Sequence, residues 1–209
     1  MELFEKLSSC ISQLDTKDIT EERKLVLQRL INFIQNKVDQ HQEIRLNFIC
    51  THNSRRSHLS QVWAQALAFY FGVKNVFCYS GGTEATAVFP QAIVALQSAG
   101  FQIKKLSEEA NPVYSIKYAA DEPSVIAFSK KYDAEFNPSG AFAAILTCTE
   151  ADGACPFIAG AEQRIALPFE DPKAFDQTAQ KAEKYEERSL QIATELFYVF
   201  SQIKLENEA

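Results

Sequence analysis

A cysteine that follows a short apolar segment and precedes a polar loop gives this sequence its clearest chemical feature. Residues 44–49 read Ile-Arg-Leu-Asn-Phe-Ile, which predicts a strand ending at Cys50. The pattern from Leu59 to Phe71 predicts a helix. A loop that wraps around a point between them presents its backbone N–H groups as an anion nest, beside the positive end of the helix dipole. We therefore expect an anion site next to Cys50.

The residue types in this loop indicate what the anion site would do. A thiolate beside such a site is stabilised, and cysteine pKa values fall from about 8.5 to as low as about 3.5. Arg56 offers a planar fork to two oxygens of a tetrahedral oxyanion. The Ser57 hydroxyl can donate to the thiolate or to the leaving sulfur. The alternative is a structural cysteine that ends a strand, with Arg55 and Arg56 as surface charges.

The segment from Cys50 to Ser57, Cys-Thr-His-Asn-Ser-Arg-Arg-Ser, resembles the Cys-(x)5-Arg-Ser loop of low-molecular-weight protein tyrosine phosphatases. It equally resembles the loop of the thioredoxin-coupled arsenate reductases that share their fold. The resemblance implies that Cys50, Arg56 and Ser57 are catalytic and that the oxyanion-binding loop consists of Thr51, His52, Asn53, Ser54 and Arg55. His52 and Arg55 depart from the reductases, which commonly have a small residue and a cysteine there.

Two further cysteines resemble those of the reductases more specifically. Residues 142–147 are strongly apolar and predict a strand buried on both faces, which ends at Cys148. Cys155 follows seven residues later, after a polar stretch that we interpret as a flexible loop, and a proline follows it. The resemblance implies that Cys148 and Cys155 are catalytic resolving cysteines and that thioredoxin or a similar thiol reductant is the partner. Two incidental cysteines near a strand end are the alternative.

An Asp-Pro pair precedes the last predicted helix. In both families an Asp-Pro at this point supplies the general acid, so the resemblance makes Asp171 the candidate. Asp171 would hold a proton for the departing oxygen. It is also suited to cap the final helix, with Pro172 in the first turn, and both roles are compatible. The phosphatases commonly have a tyrosine after this pair, whereas Lys173 follows here.

Support for the loop is expected from a second strand end. Residues 79–84, Tyr-Ser-Gly-Gly-Thr-Glu, are similar to a turn of the arsenate reductases, in which Ser80 and Asn53 match positions that support the loop. Some members of that family add a potassium ion there. Gln61 stands where an acid is expected, and Lys131 lies near the place of an aspartate. We therefore predict no required metal and no cofactor.

Composition limits the class of protein. The chain has 209 residues, 46% of them hydrophobic, which suits one globular domain with additions. A formal charge of −6 gives no basic field for nucleic acid, so anion binding must be local. No apolar run approaches the roughly 18 residues of a membrane helix, and the acidic N-terminus is unlike a secretory signal. Five cysteines, an odd number, argue against a structural disulfide framework. We expect a cytoplasmic protein with neither nucleic-acid nor membrane partners.

Alternating strands and helices predict an α/β fold: a doubly wound parallel four-stranded sheet with helices on both faces, like that of the low-molecular-weight phosphatases. The predicted strands are 44–49, 75–79 and 142–147, and the predicted helices are 59–71, 90–99 and 176–204. Such sheets bind ligands at the carboxyl ends of their strands. Cys50, Cys148 and Asp171 lie at such ends or in the loops beyond, so one cleft would gather them.

Two segments are additions to the phosphatase-like domain, which we place at 42–209. Residues 1–41 predict an N-terminal extension of two helices, from apolar residues at three- and four-residue spacings. The extension would pack on the domain or serve dimerisation or regulation. Residues 111–128 predict an inserted β-hairpin, from alternating polarity and an apolar return. The hairpin would line the substrate entrance or form only a sheet edge.

Three hypotheses about function follow. The leading one is an arsenate reductase that reduces arsenate to arsenite through a relay of Cys50, Cys148 and Cys155. The second is a low-molecular-weight phosphatase that hydrolyses phosphotyrosine or a small phosphoester through a phosphocysteine at Cys50. The third is an anion-binding or redox-sensing module without turnover. Retention of a nucleophile, an arginine and a candidate acid argues against the third.

Overall fold

Strands and helices alternate along most of the chain. The computed structural model describes residues 2–154 and 157–205. The strands are β1 (Ile44–Cys50), β2 (Val76–Gly82), β3 (Gln102–Lys105), β4 (Tyr114–Lys117), β5 (Val125–Ala127), β6 (Phe142–Leu146) and β7 (Ala161–Ala166). The helices are α1 (Glu5–Ser12), α2 (Glu21–Asp39), α3 (Arg56–Tyr70), α4 (Pro90–Ala99), α5 (Thr149–Ala154) and α6 (Lys181–Ser201), with a 3-10 turn at Pro172–Phe175. Within these ranges no helix is long and apolar enough to span a bilayer.

Four strands form one parallel sheet in the order β2-β1-β6-β7. Every neighbouring pair is parallel, so each connection must cross over the sheet. The prediction of a four-stranded parallel sheet flanked by helices is confirmed. The sequence pattern does not reveal the fourth strand, β7, because its residues Ala-Glu-Gln-Arg-Ile-Ala carry the polar side chains of an edge strand.

One face of the sheet carries most of the core. Leu46 and Phe48 of β1 belong to a cluster of fully buried side chains that includes Trp63 of α3. The Trp63 indole N–H donates to Ser189 Oγ of α6 at 2.9 Å, which fixes the two helices to one another. Apolar side chains of α1 and α2 join the same cluster. The helix that carries the start of the candidate site, α3, is therefore anchored in the largest part of the core.

The other face is covered by α5 and by residues 130–141. A smaller buried cluster joins Ile49, Cys50 and Cys148 to Ala151 of α5. The segment 130–141 crosses the same face, where the Tyr132 carbonyl accepts a hydrogen bond from the Asn47 amide of β1 at 3.1 Å. Both carboxyl ends, of β1 and β6, therefore lie under α5.

The inserted hairpin is present. Strands β4 and β5 pair in antiparallel fashion. Strand β3 pairs with the other edge of β4, so the hairpin is part of a three-stranded antiparallel sheet. The prediction lacked β3 because four residues, three of them exposed, are too few to show a period.

Two predictions about the segments beyond β6 are wrong. The last helix spans Lys181–Ser201 rather than 176–204. Asp171 caps a separate 3-10 turn by accepting from the Lys173 N–H at 3.0 Å, and tight turns follow, in which the N–H groups of Thr178 and Lys181 donate to carbonyls three residues back. The stretch after Cys148, expected to be a flexible loop, forms α5 instead. Its first turn is closed by the Asp152 N–H, which donates to the Cys148 carbonyl at 3.1 Å, and Asp152 forms an ion pair with Arg164 of β7.

Candidate active site

The loop between β1 and α3 turns its carbonyl groups outward. All six carbonyl oxygens of residues 50–55 accept hydrogen bonds from outside the loop. The donors are the N–H groups of Thr83 and Glu84, the hydroxyls of Thr83, Thr86 and Ser129, the His58 ring, and the N–H groups of Phe89 and Leu59. In a trans peptide the N–H points opposite to the C=O, so the N–H groups of the loop face its inside. Those of residues 51–57 meet no acceptor in the described part of the chain. They are available for an anion.

Asn53 holds the loop from its centre. Its φ of 45° is left-handed, a conformation that asparagine adopts more readily than most residues. Its Oδ1 accepts from the Lys130 N–H at 2.9 Å, and its Nδ2–H donates to Ser57 Oγ at 2.9 Å. The Asn53 side chain is fully buried, so these hydrogen bonds do not compete with water.

Cys50 and Ser57 are in direct contact under the loop. Cys50 is buried at the end of β1, and its Sγ lies 3.1 Å from Ser57 Oγ. Because Asn53 already donates to that oxygen, the hydroxyl proton of Ser57 is left to point at the sulfur. Ser57 is the second residue of α3, so the sulfur also lies at the N-terminal end of a helix. This arrangement suits a nucleophilic thiolate.

His58, which was not among the predicted site residues, links the loop to β2. Its Nε2 lies 2.9 Å from the Asn53 carbonyl, which can only accept, so Nε2 carries the proton. Its Nδ1 then accepts from Ser80 Oγ at 3.1 Å. Burial, and secondly the charge of Lys130, lowers the pKa of His58 to about 3, so the ring is neutral. Ser80 therefore supports the loop through His58 rather than directly.

Arg56 and Asp171 form an ion pair beside the loop. Arg56 Nη2 lies 2.7 Å from Asp171 Oδ2, and Nη1 donates to the Phe169 carbonyl at 2.8 Å. Asp171 Oδ1 caps the 3-10 turn. The candidate acid Asp171 is thus held next to Arg56, the candidate anion ligand, and it caps the 3-10 turn at the same time.

Arg55 anchors the loop to α6. Its Nη2 donates to Asp176 Oδ2 at 2.7 Å and its Nε to the Tyr185 hydroxyl at 2.5 Å, and its guanidinium stacks 4.1 Å from the Phe89 ring centroid. The Tyr185 hydroxyl donates in turn to Asp176. Arg55 is therefore neither a surface charge nor an anion ligand in this arrangement.

Cys148 lies beside the loop. It is fully buried at the end of β6, and its Sγ is 3.5 Å from Thr51 Oγ1 and accepts from the Ala151 N–H at 3.4 Å. The structure thus brings Cys148 to the site of Cys50. Cys155 lies outside the described residues. His52 is at the rim, with Nε2 3.7 Å from Glu84 Oε2, and Ser54 is buried within the loop.

Gly82 and residues 129–130 support the loop from behind. A Cβ at Gly82 would lie 2.7 Å from both Asn53 N and the Thr51 carbonyl oxygen, so only glycine fits against the loop there. The Ser129 hydroxyl donates a hydrogen bond to the His52 carbonyl at 3.0 Å. None of these supports was among the predicted site residues. For His58 the sequence does contain an indication, because polar residues at the start of α3 precede a largely apolar helix.

The supporting residues do not fit a potassium ion. Asn53 Oδ1 is taken by the Lys130 N–H, and the Ser80 hydroxyl by His58. Gln61 Nε2 donates to the Cys78 carbonyl at 3.0 Å, and the buried Gln61 Oε1, which has no hydrogen-bond partner among the described residues, is a single neutral oxygen. None of these side chains is a carboxylate, and within the described ranges no cluster of three His, Cys, Asp or Glu residues could hold a metal.

No family model and no curated protein matches the chain. Solved structures do. A low molecular weight protein tyrosine phosphatase from T. tengcongensis has a TM-score of 0.52 at 14% identity, covering 77% of this chain and 100% of that one. The YwlE arginine phosphatase from Geobacillus stearothermophilus has a TM-score of 0.51 at 15% identity, covering 76% and 92%. An arsenate reductase from Archaeoglobus fulgidus reaches 0.49 at 16% identity, covering 75% and 99%, which is too low to carry weight. The chain therefore has the fold of the low-molecular-weight phosphatases.

Proposed function

We propose that the protein is an arsenate reductase that works through a relay of three cysteines. The observation that supports this most is the place of Cys148, whose Sγ lies 3.5 Å from Thr51 Oγ1 of the anion loop. Cys148 and Cys50 belong to one buried cluster at the ends of adjacent strands. A reductase needs a second thiol beside its nucleophile, whereas a phosphatase does not.

The first step would form a bond between sulfur and arsenic. The inward-facing N–H groups of residues 51–57 and the Arg56 guanidinium would hold arsenate, as preorganised donors do for developing oxyanions. The Cys50 thiolate would attack arsenic, and one arsenate oxygen would leave with a proton from Asp171. The Ser57 hydroxyl, 3.1 Å from Cys50 Sγ, would orient the thiolate.

The second and third steps would move electrons to arsenic and then restore Cys50. The Cys148 thiolate would attack Cys50 Sγ, forming a disulfide while the sulfur–arsenic bond breaks. That electron pair stays with arsenic, which is reduced from As(V) to As(III) and leaves as arsenite. The Cys155 thiolate would attack Cys148 Sγ and release the Cys50 thiolate. A dithiol protein such as thioredoxin would reduce the Cys148–Cys155 disulfide.

The deciding experiment measures arsenate-dependent oxidation of a thioredoxin together with hydrolysis of an aryl phosphate. We expect the native protein to oxidise thioredoxin only with arsenate, and Cys148→Ser and Cys155→Ala to abolish that activity. Cys10→Ser is the matched control, because Cys10 is a half-buried thiol on α1, remote in sequence from the loop. Mass spectrometry of Cys155→Ala after arsenate should find a Cys50–Cys148 disulfide. Arsenate turnover that is unchanged in both variants would refute the relay.

A phosphatase is the second candidate, and the burial of Cys148 favours it. Cys148 is fully buried and accepts from the Ala151 N–H, as a structural thiol would. The loop, Arg56 and Asp171 would serve phosphoryl transfer through a Cys50 phosphoenzyme without any movement of α5. In that case the native protein, Cys148→Ser and Cys155→Ala would hydrolyse phosphotyrosine, phosphoarginine or an aryl phosphate alike, and none would oxidise thioredoxin.

A further inference from the structure

Lys130 is a buried cation without an acidic partner in the described part of the chain. Its side chain lies over the rings of Phe128 and Phe136, with 4.5 and 5.3 Å between Nζ and the ring centroids. Its Nζ donates to the Phe128 carbonyl at 3.3 Å. The residue is only 4% exposed. Burying an ammonium that no carboxylate neutralises is unfavourable, so its presence calls for a reason.

The backbone of Lys130 is part of the support of the anion loop. Its N–H donates to Asn53 Oδ1 at 2.9 Å, and its carbonyl accepts from the Gly82 N–H at 2.9 Å. Asn53 donates to Ser57 Oγ, which contacts Cys50 Sγ. Three successive contacts therefore connect the residue that carries the buried charge to the sulfur.

The positive charge of Lys130 also acts on His58, another residue that supports the loop. It is the second cause, after burial, of the low pKa of His58, the titratable group of α3 that faces it. His58 is neutral, so it adds no second positive charge beside the ammonium. Two phenylalanine rings face Lys130 from its own segment. Burial lowers the pKa of Lys130 to about 8, so the side chain remains largely protonated at neutral pH.

We infer that Lys130 is a positioning residue that places a fixed positive charge behind the anion loop and strengthens its hold on a dianionic substrate. The inference rests on the proposed function, in which the loop binds an oxyanion. Solvent screens a buried charge much less than an exposed one. The charge also needs no reorganisation when the anion arrives, because aromatic rings and the backbone already hold the lysine. The unfavourable burial of Lys130 in the free protein is offset when an anion binds.

The test measures binding of inorganic sulfate by calorimetry in a Cys50→Ser background. Sulfate does not titrate near neutral pH, and the serine replaces the sulfur with a hydroxyl that stays neutral. We expect Lys130→Met to weaken sulfate binding about tenfold at neutral pH. Lys131→Met is the matched control, because Lys131 is the exposed neighbour, and its affinity should not change. Lys130→Arg should restore binding.

The pH profile separates an electrostatic role from a merely structural one. With Lys130 present, sulfate affinity should fall as the pH rises past about 8, whereas Lys130→Arg should keep its affinity. This comparison decides the question even if Lys130→Met does not fold. Equal affinities of Lys130→Met and its parent, or parallel pH profiles of lysine and arginine, would overturn the inference. A parent that binds no sulfate while folded would instead refute the oxyanion loop, and the inference with it.

Discussion

The guanidinium of Arg56 donates to Asp171, with 2.7 Å between Nη2 and Oδ2. The same guanidinium donates to the Phe169 carbonyl at 2.8 Å, so the segment between β7 and α6 fixes its direction. An oxyanion bound in the loop would have to share the positive charge of Arg56 with the Asp171 carboxylate. Asp171 therefore has two opposing effects in the proposed reaction. It supplies a proton, and it competes with the anion for Arg56.

Replacing Asp171 by asparagine should separate these effects. Asparagine keeps the cap of the 3-10 turn, because its amide oxygen can accept from the Lys173 N–H. It carries no charge to compete for Arg56 and no proton to transfer. We expect kcat to fall about 100- to 1000-fold, while inorganic phosphate inhibits at lower concentration. Steady-state kinetics with phosphate as inhibitor measures both. Weaker inhibition by phosphate would mean that Asp171 helps to bind the anion.

The contact of Gly82 with the loop gives a second prediction. A Cβ at this position would lie 2.3 Å from the Glu84 carbonyl oxygen and 2.7 Å from Asn53 N, and both are backbone atoms that have little freedom to move. Gly82→Ala should lower the free energy of unfolding by about 1–3 kcal/mol and weaken phosphate binding. Urea unfolding and calorimetry measure these quantities.

Gly140→Ala is the control for that variant, because a Cβ at Gly140 meets nothing within 4 Å. Its stability should stay within about 0.5 kcal/mol of the native protein, and its phosphate affinity should not change. Native-like binding by Gly82→Ala would mean that the loop can shift without losing its anion site.

The buried, neutral ring of His58 predicts acid sensitivity. The unfolded chain takes up a proton on this imidazole as the pH falls through about 6.5, whereas the folded protein does so only near 3. Between these values the unfolded state binds more protons, so the free energy of unfolding falls as the pH falls and recovers as it rises. Urea unfolding at several pH values should give a steeper slope for the native protein than for His58→Gln.

The glutamine variant also loses the fixed bridge between Asn53 and Ser80, so we expect it to be less stable by about 1–3 kcal/mol at neutral pH. Stability and slope are separate readouts. Identical slopes for the two proteins, whatever their stabilities, would show that His58 titrates normally in the fold.

The proposed chemistry is what selects the centre of the candidate site from the sequence. A nucleophile, an anion ligand and a hydroxyl donor must be of particular residue types at particular spacings, which the stretch from Cys50 to Ser57 satisfies. The buried strands were equally predictable, because short continuous apolar runs are typical of strands that are buried on both faces. The residues that support the loop could not be predicted in this way. Lys130 binds Asn53 from 77 residues away, and nothing in its local sequence indicates that contact or its burial.

Short elements escaped prediction for a different reason. Helix α5 has six residues, one of them Gly153, and its own sequence favours a loop. One contact from elsewhere supports the helix, the ion pair of Arg164 with Asp152, and Cys148, the residue before α5, accepts locally from the Ala151 N–H. A tertiary contact such as this ion pair is what local patterns omit, and a helix of six residues depends on such contacts because it is too short to be stable by itself.

The shortness of α5 gives the last prediction, which separates the two enzyme hypotheses. The first turn of α5 is built on Cys148, so exchange of Cys148 with Cys50 and then Cys155 would require that turn to open. A Cβ at Gly153 would meet nothing within 4 Å, so Gly153→Ala should stabilise the helix by about 0.5–1 kcal/mol. If opening limits the relay, arsenate turnover should slow about two- to fivefold. Hydrolysis of an aryl phosphate, which needs only the loop and Asp171, should keep its rate. Gly140→Ala should change neither rate, and equal slowing of both activities by Gly153→Ala would mean that α5 shapes the loop itself rather than a thiol relay.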